Sequence, residues 1–184
     1  MNQNKDYFVI EGVSGAKKIK GIITVNGSKN AVLPAMAMSL LFENPLKIEN
    51  VPDSEDVKRM AEILNGLKVK VGHSKKRSLI IDSSTIKNTV LDRDISKRMR
   101  ASIFLVGPVL ARMGEVTFPH PGGCVLGARS IDLFTQGFQK MGATLKESDG
   151  LYALKTKDGE LQGTDITFKI QSVGATQTFL FGEN

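Results

Sequence analysis

Three stretches of this chain repeat one pattern at a spacing of about 70 residues: Gly27-Ser28-Lys29-Asn30-Ala31-Val32-Leu33, Lys97-Arg98-Met99-Arg100-Ala101-Ser102-Ile103 and Gln171-Ser172-Val173-Gly174-Ala175-Thr176-Gln177. Ala31 and Ala101 stand 70 positions apart, Ala101 and Ala175 stand 74 apart. A period of that length is a supersecondary unit used again, and it limits the chain to folds built from such units. Each stretch is expected to open a helix. The first continues through 34–42 and the second through 104–111, and both are apolar on nearly every side, the pattern of a helix buried all round. Pro34 is expected in the first helical turn, where a missing amide hydrogen is not needed. Pro108 is expected to kink the second helix.

After each buried helix comes a short strand, at 46–51 and at 115–119, and then an amphipathic helix. Asp53 is expected to cap the first of these, whose stripe is Val57, Met60, Ala61 and Leu64. Ile131, Phe134, Phe138 and Met141 form the stripe of the second. Gly66 and Gly142 are expected to end them as left-handed caps. Two strands complete each unit, at 69–71 with 79–82 and at 143–146 with 151–155, and a further strand at 165–169 leads into the third buried helix. The fold class is α/β. Units placed around a pseudo-threefold axis put the apolar helices in the middle and gather their starts at one end, where helix N-termini attract anions. Lys29, Asn30, Arg100, Ser172 and Val173 stand at those starts. The third unit reaches only its buried helix, so the chain reads as an incomplete domain.

Cys124 is the sole cysteine, in the glycine-dense run Pro121-Gly122-Gly123-Cys124-Val125-Leu126-Gly127-Ala128-Arg129-Ser130-Ile131-Asp132. Two readings of it are open: a small apolar residue in a turn, or a thiol activated by nearby positive charge from Arg129 and the following helix. Flanking glycines let backbone and solvent reach the sulfur and let the loop act as a lid. One cysteine allows no intrachain disulfide, and with no exported-signal pattern at the N-terminus the simplest inference is a cytoplasmic protein. No apolar run approaches the ~20 residues that span a bilayer. The net charge of +6 favours an anionic partner, but the basic residues are scattered and aromatics are 6%, so nucleic acid is unsupported. His73 and His120 lack the spacing of a metal pair.

The pieces Asn26-Gly27-Ser28-Lys29-Asn30-Ala31, Arg98-Met99-Arg100-Ala101-Ser102, Pro121-Gly122-Gly123-Cys124 through Asp132, and Ser172-Val173-Gly174-Ala175-Thr176 together resemble the UDP-N-acetylglucosamine 1-carboxyvinyltransferases. The resemblance runs from about Tyr7 to the last residues and covers less than half of that family's enzyme. It implies an inside-out α/β barrel (the enolpyruvyl transferase type) of repeated ~70-residue units, truncated within the third unit. Residues 1–28 would then be strands belonging to a second domain, and 29–184 an incomplete first domain.

The activity implied is transfer of the enolpyruvyl group of phosphoenolpyruvate to the 3-hydroxyl of UDP-N-acetylglucosamine, the first committed step of peptidoglycan synthesis, with release of phosphate. No cofactor or metal is implied. By resemblance, Lys29 and Asn30 contact phosphoenolpyruvate, Cys124 protonates its methylene carbon and is the thiol that fosfomycin alkylates, and Arg129 faces the phosphate and the nucleotide sugar. The UDP-sugar contacts implied are Arg100, Arg129, Ser130, Ile131, Asp132, Leu133, Ile170, Gln171, Ser172 and Val173. The family's catalytic aspartate and another phosphate-facing arginine come from the second domain, so the 184 residues alone are expected to be inactive. Two alternatives remain at this point. An enolpyruvyl transferase acting on shikimate 3-phosphate shares the architecture, although the Pro121–Cys124 loop and Asn30 after Lys29 argue against it. A non-catalytic module that binds anions or nucleic acid through its basic surface would show steep salt dependence.

Overall fold

The computed structural model describes residues 8–10, 12, 20–122 and 131–182. Its first buried helix, α1 (Lys29–Met38), runs on as a 3-10 turn, Ser39–Leu41, and buries Val32, Leu33, Met36, Ala37 and Leu40. Pro34 is the sixth residue of α1, beyond the first turn expected for it. The Asn30 carbonyl therefore has no amide hydrogen at position 34 to accept. The second buried helix differs more from expectation. Arg100–Leu105 is a 3-10 helix that becomes the α-helical α4 (Val106–Met113) two residues before Pro108. Proline has no amide hydrogen for the Phe104 carbonyl, and the tighter turn upstream takes the place of a kinked α-helix. The third buried helix is α6 (Val173–Leu180), which buries Ala175, Thr178 and Phe179 on one face and exposes Val173 and Leu180 on the other.

Both units close with the same sheet. β1 (Leu46–Glu49), β2 (Lys70–Gly72) and β3 (Ser78–Asp82) pair in the order β1-β3-β2, antiparallel throughout, with Lys47 opposite Ile80 and Val71 opposite Ile81. β4 (Glu115–Pro119), β5 (Thr144–Ser148) and β6 (Leu151–Lys155) pair as β4-β6-β5, with both Thr117 and Lys146 opposite Ala153. The second sheet gains a parallel bridge from Val90 to Thr117, fixed by Leu91 N–H on the Thr117 carbonyl and Thr117 N–H on the Thr89 carbonyl, each 2.8 Å. A strand expected at 165–169 is not formed. Among the described residues no strand lies beside it, and an extended segment becomes a strand only by exchanging backbone hydrogen bonds with a neighbour. Ile166 and Phe168 instead pack their side chains on the core.

Amphipathic helices α2 (Glu55–Gly66) and α5 (Asp132–Lys140) cover the buried ones. Ser54, not Asp53, caps α2, its hydroxyl accepting the Val57 amide, while Asp53 pairs with Lys58 at 2.9 Å. A four-residue helix, α3 (Arg93–Ser96), lies between the units. The ends of α2 and α5 close with equivalent hydrogen bonds, Val69 N–H to the Leu64 carbonyl at 3.0 Å and Ala143 N–H to the Phe138 carbonyl at 2.9 Å. Gly142 takes the left-handed conformation this needs, at φ 90°. In α2 it is Lys68, at φ 68°, and not Gly66, that does so. Gly66 remains the last helical residue, because the turn closes two positions later than the glycine.

One apolar core joins the two units through the three buried helices. Gly107 of α4 brings its backbone against the Thr178 carbonyl of α6, where no Cβ fits. Phe179 of α6 packs edge-on to Phe138 of α5, ring centroids 4.9 Å apart, and against the backbone of Gly137. At the other extreme, Ile22, Ile23 and Val25 lie almost wholly exposed ahead of α1.

Candidate active site

The starts of the three buried helices meet at a cavity of about 1100 Å³. Lys29 and Asn30 from α1, Arg100 and Phe104 from the 3-10 helix, and Ser172, Val173 and Gln177 from the α6 end form three of its sides. Asp132 and Leu133 at the head of α5, with Ile170 and Gln171, complete the wall. Nine of the residues singled out from sequence therefore share one cavity. Ile131 does not line it: its side chain is buried in the core at 3% exposure, and its carbonyl accepts the amides of Phe134 and Thr135. Cys124, Arg129 and Ser130 lie outside the described residues.

Each helix start is held by a particular contact. Gly27 lies so close to the Asn50 carbonyl that a side chain there would collide with it, which sets where α1 begins. Ser172 caps α6 by accepting the Ala175 amide at 3.2 Å, which leaves its hydroxyl hydrogen available to a ligand. Gly122 donates its amide to the Ser96 carbonyl at 3.1 Å and presses against the Lys97 carbonyl, again with no room for a Cβ. The chain on one side of residues 123–130 is thus fixed beside Arg98, and on the other side Asp132 and Leu133 are already in the cavity wall.

Charge in the wall is unbalanced. Lys29, Arg98, Arg100 and Lys169 face Asp56 and Asp132, so the cavity carries a positive excess to which the α1 and α6 N-termini add. The Lys29 ammonium donates to the Asp56 carboxylate at 2.6 Å. Arg100 and Asp132 each have an interaction partner as well. Arg59 fastens the wall from behind, donating to the Arg98 carbonyl at 3.3 Å. Burial, then the negative charges of Glu147 and Asp132, push the Tyr152 phenol above its ordinary value. His120 lies tilted against the Tyr152 ring, centroids 6.4 Å apart and planes at 58°, outside the wall. Among the described residues no group of three or more His, Cys, Asp or Glu is placed to hold a metal ion, and no helix is long and apolar enough to cross a membrane.

The model of the EPSP synthase (3-phosphoshikimate 1-carboxyvinyltransferase) family matches residues 13–183. The chain belongs to this family. Within the EPSP synthase family, its similar curated relatives carry the name that the sequence resemblance led to. UDP-N-acetylglucosamine 1-carboxyvinyltransferase of Campylobacter fetus subsp. fetus is 39% identical over 168 residues, which cover 91% of this chain and 40% of that protein. The protein of the same name from Aliivibrio salmonicida is 42% identical over 164 residues, covering 89% and 38%. The chain thus spans about 40% of the length of the relatives it matches. The fold agrees with solved family structures: EPSP synthase from Acinetobacter baumannii gives a TM-score of 0.70 at 16% identity, covering 91% of this chain and 39% of that one. The enolpyruvyl transferase NikO from Streptomyces tendae gives 0.65 at 19%, covering 80% and 32%.

Sequence reasoning missed five polar residues of this family member's cavity: Asp56, Arg98, Gln136, Lys169 and Gln177. Asp56 reads in sequence as an acid in the first turn of a helix, a common complement to the helix dipole. Only the packing of α1 on α2 brings it to Lys29. Arg98 opens one of the matched pieces and Lys169 immediately precedes the 170–173 stretch, so a search for cations in and beside those segments would have found both.

Proposed function

We propose that this chain forms the nucleotide-sugar side of an enzyme that transfers the enolpyruvyl group of phosphoenolpyruvate to the 3-hydroxyl of UDP-N-acetylglucosamine. The observation that carries the reading is the convergence of Lys29, Asn30, Arg100 and the 170–173 stretch on one cation-rich cavity of about 1100 Å³. That volume is at the upper end for small-molecule sites and suits a nucleotide sugar together with a three-carbon acid. The names of the relatives favour this substrate over shikimate 3-phosphate, even though the family model bears the shikimate enzyme's name.

The chemistry follows from the enol. A proton added to the methylene carbon leaves positive charge on the carbon that bears the phosphate oxygen, and the sugar hydroxyl oxygen bonds to that carbon as it loses its own proton. Returning the methyl proton to the acid and breaking the carbon–oxygen bond to phosphate then gives the enolpyruvyl ether. Cys124 is the proposed acid, and a positioned acid lowers this barrier. Lys29 and Arg129 are the proposed partners of phosphate and carboxylate, the arginine as a bidentate fork, with Asn30 beside them. Arg100, Ser130 to Leu133 and Ile170 to Val173 are the proposed contacts of the nucleotide sugar, Ile131 through its backbone, since its side chain is in the core. Residues 1–28 are proposed to complete a second domain, which the exposed Ile22, Ile23 and Val25 would help to cover. That domain would supply the base for the sugar hydroxyl, and the reaction, proposed to be cytoplasmic, would feed peptidoglycan synthesis.

The test is alkylation of the 184-residue chain by fosfomycin, read by intact mass and peptide mapping. One adduct at Cys124, formed faster with UDP-N-acetylglucosamine present than without, is the expected result. An equal rate with and without the nucleotide sugar, or acceleration by shikimate 3-phosphate in its place, overturns the reading.

A further inference from the structure

Asp56 brings a negative charge into a cavity otherwise arranged to take anions. Its carboxylate accepts from Lys29 at 2.6 Å, both side chains line the cavity, and the pair is partly open to water, with side-chain exposures of 47% and 28%. An ammonium is a compact point charge with three donors, of which this contact uses one. A phosphate or carboxylate that reaches the remaining donors comes to within roughly 5–6 Å of Asp56, well inside the Debye length, so the two anions repel. The ion pair is also exposed enough to be exchanged for a better partner.

Release would not strand the carboxylate. Asp56 is the second residue of α2, in the first turn, where backbone amides point outward and the helix end is positive. Ser54 accepts the Val57 amide and leaves the earlier amides of that turn to other acceptors. The acid therefore has a second favourable environment that needs no movement of the backbone.

We propose that Asp56 is an internal counter-anion for Lys29: it holds the ammonium at the cavity wall, and an anionic ligand has to share or displace it, so that Asp56 sets the affinity of that end of the site. The inference rests on the functional reading above, because phosphoenolpyruvate is the anion Lys29 would meet. A purely structural Asp56, serving only the α2 dipole, would leave ligand affinity and Lys29 reactivity untouched when replaced by asparagine.

The experiment compares the wild-type 184-residue chain with D56N and D56E. Calorimetric titration at low salt with phosphoenolpyruvate, UDP-N-acetylglucosamine being present, is expected to show D56N binding about three- to tenfold tighter, the size expected from removing one partly screened charge at this distance. D56E is expected to stay near wild type. Limited acylation read peptide by peptide is expected to modify Lys29 several-fold faster in D56N than in wild type, with Lys47 as the internal reference. Unchanged or weaker phosphoenolpyruvate binding in D56N, with UDP-N-acetylglucosamine still bound, overturns the inference and leaves the functional reading standing. Failure of wild type and D56N alike to bind either ligand overturns both.

Discussion

Replacing Gly107 by alanine sets two effects of opposite sign against each other. Gly107 is the second residue of α4 but lies inside the continuous helical run 100–113, and on propensity alone the substitution stabilises by up to about 1 kcal/mol, because the unfolded glycine backbone has more freedom to lose. The added methyl, however, would fall under 3.0 Å from the Thr178 carbonyl oxygen, with the Thr178 carbonyl carbon at 3.4 Å and the Gly182 amide nitrogen at 3.5 Å. All three are backbone atoms of α6 or the residues just after it, so no side-chain rotation relieves the clash. The helix as a whole has to retreat by about 1 Å to restore a normal separation. Overpacking of this kind costs about 1–3 kcal/mol, and the retreat also loosens Phe179 from Phe138. We therefore expect G107A to be destabilising by about 1–2 kcal/mol net of the propensity gain. Gly66 is the control, since a Cβ there meets nothing within 4 Å and φ is not positive. G66A should stabilise by about 0.5–1 kcal/mol. Urea unfolding of both variants reads the difference, about 2 kcal/mol or a factor of about 30 in the folded-to-unfolded ratio. Because the start of α6 forms one side of the cavity, G107A should also weaken UDP-N-acetylglucosamine binding, and G66A should not. A G107A protein as stable as G66A would refute the close approach of α4 and α6.

Three further outcomes are expected. Phe138 is fully buried against Phe179, so F138A should lose about 3–5 kcal/mol in the same urea experiment; a loss under 1 kcal/mol would mean that the α5–α6 contact is not formed. Lys68 adopts the left-handed conformation that Gly142 supplies at the equivalent turn, so K68G should stabilise by about 1 kcal/mol, a change in denaturation midpoint that a K70G control in β2 should not reproduce. The Ser84 hydroxyl, then its amide, hold the Asp82 carboxyl below its ordinary value, with donor distances of 2.6 and 3.0 Å. A lowered folded-state value means stability that is complete above the unfolded carboxylate value of about 3.9 and is lost as pH falls through the folded one. S84A should therefore be less stable than wild type near pH 7, with the gap closing below about pH 4; a gap constant down to pH 3 would place the hydroxyl's contribution elsewhere.

How far the sequence reached can be judged from particular residues. The repeat at Ala31, Ala101 and Ala175 located all three buried helices, and strands formed within or close to the segments expected at 46–51, 69–71, 79–82, 115–119, 143–146 and 151–155, while their pairing into two sheets of like order came only with the structure. Errors fell where two neighbours offered the same chemistry. Ser54 took the cap expected of Asp53, and Lys68 took the left-handed turn expected of Gly66, because the choice depends on where the last helical hydrogen bond closes. The strand expected at 165–169 had the right composition, but pairing requires a second segment in register, which composition does not report. In the site, Lys29, Asn30, Arg100, Asp132 and the 170–173 stretch were legible because they sit in or beside recurring motifs. The direction of the Ile131 side chain was not legible, because an apolar residue at a helix start can face the cavity or the core, and only packing turned this one into the core.

By itself the sequence determined the unit, its period and the cations at the helix starts, since these are properties of contiguous segments: amphipathic periodicity, turn chemistry and motif recurrence. Only the tertiary structure decided that the three starts enclose one cavity, that Asp56 neutralises Lys29 across two helices, and that glycines at 27, 107 and 122 sit where backbones touch. Those facts depend on distances between segments 20 or more residues apart. Such distances are set by how apolar faces interlock, a property of the packed whole that no local stretch of chain encodes.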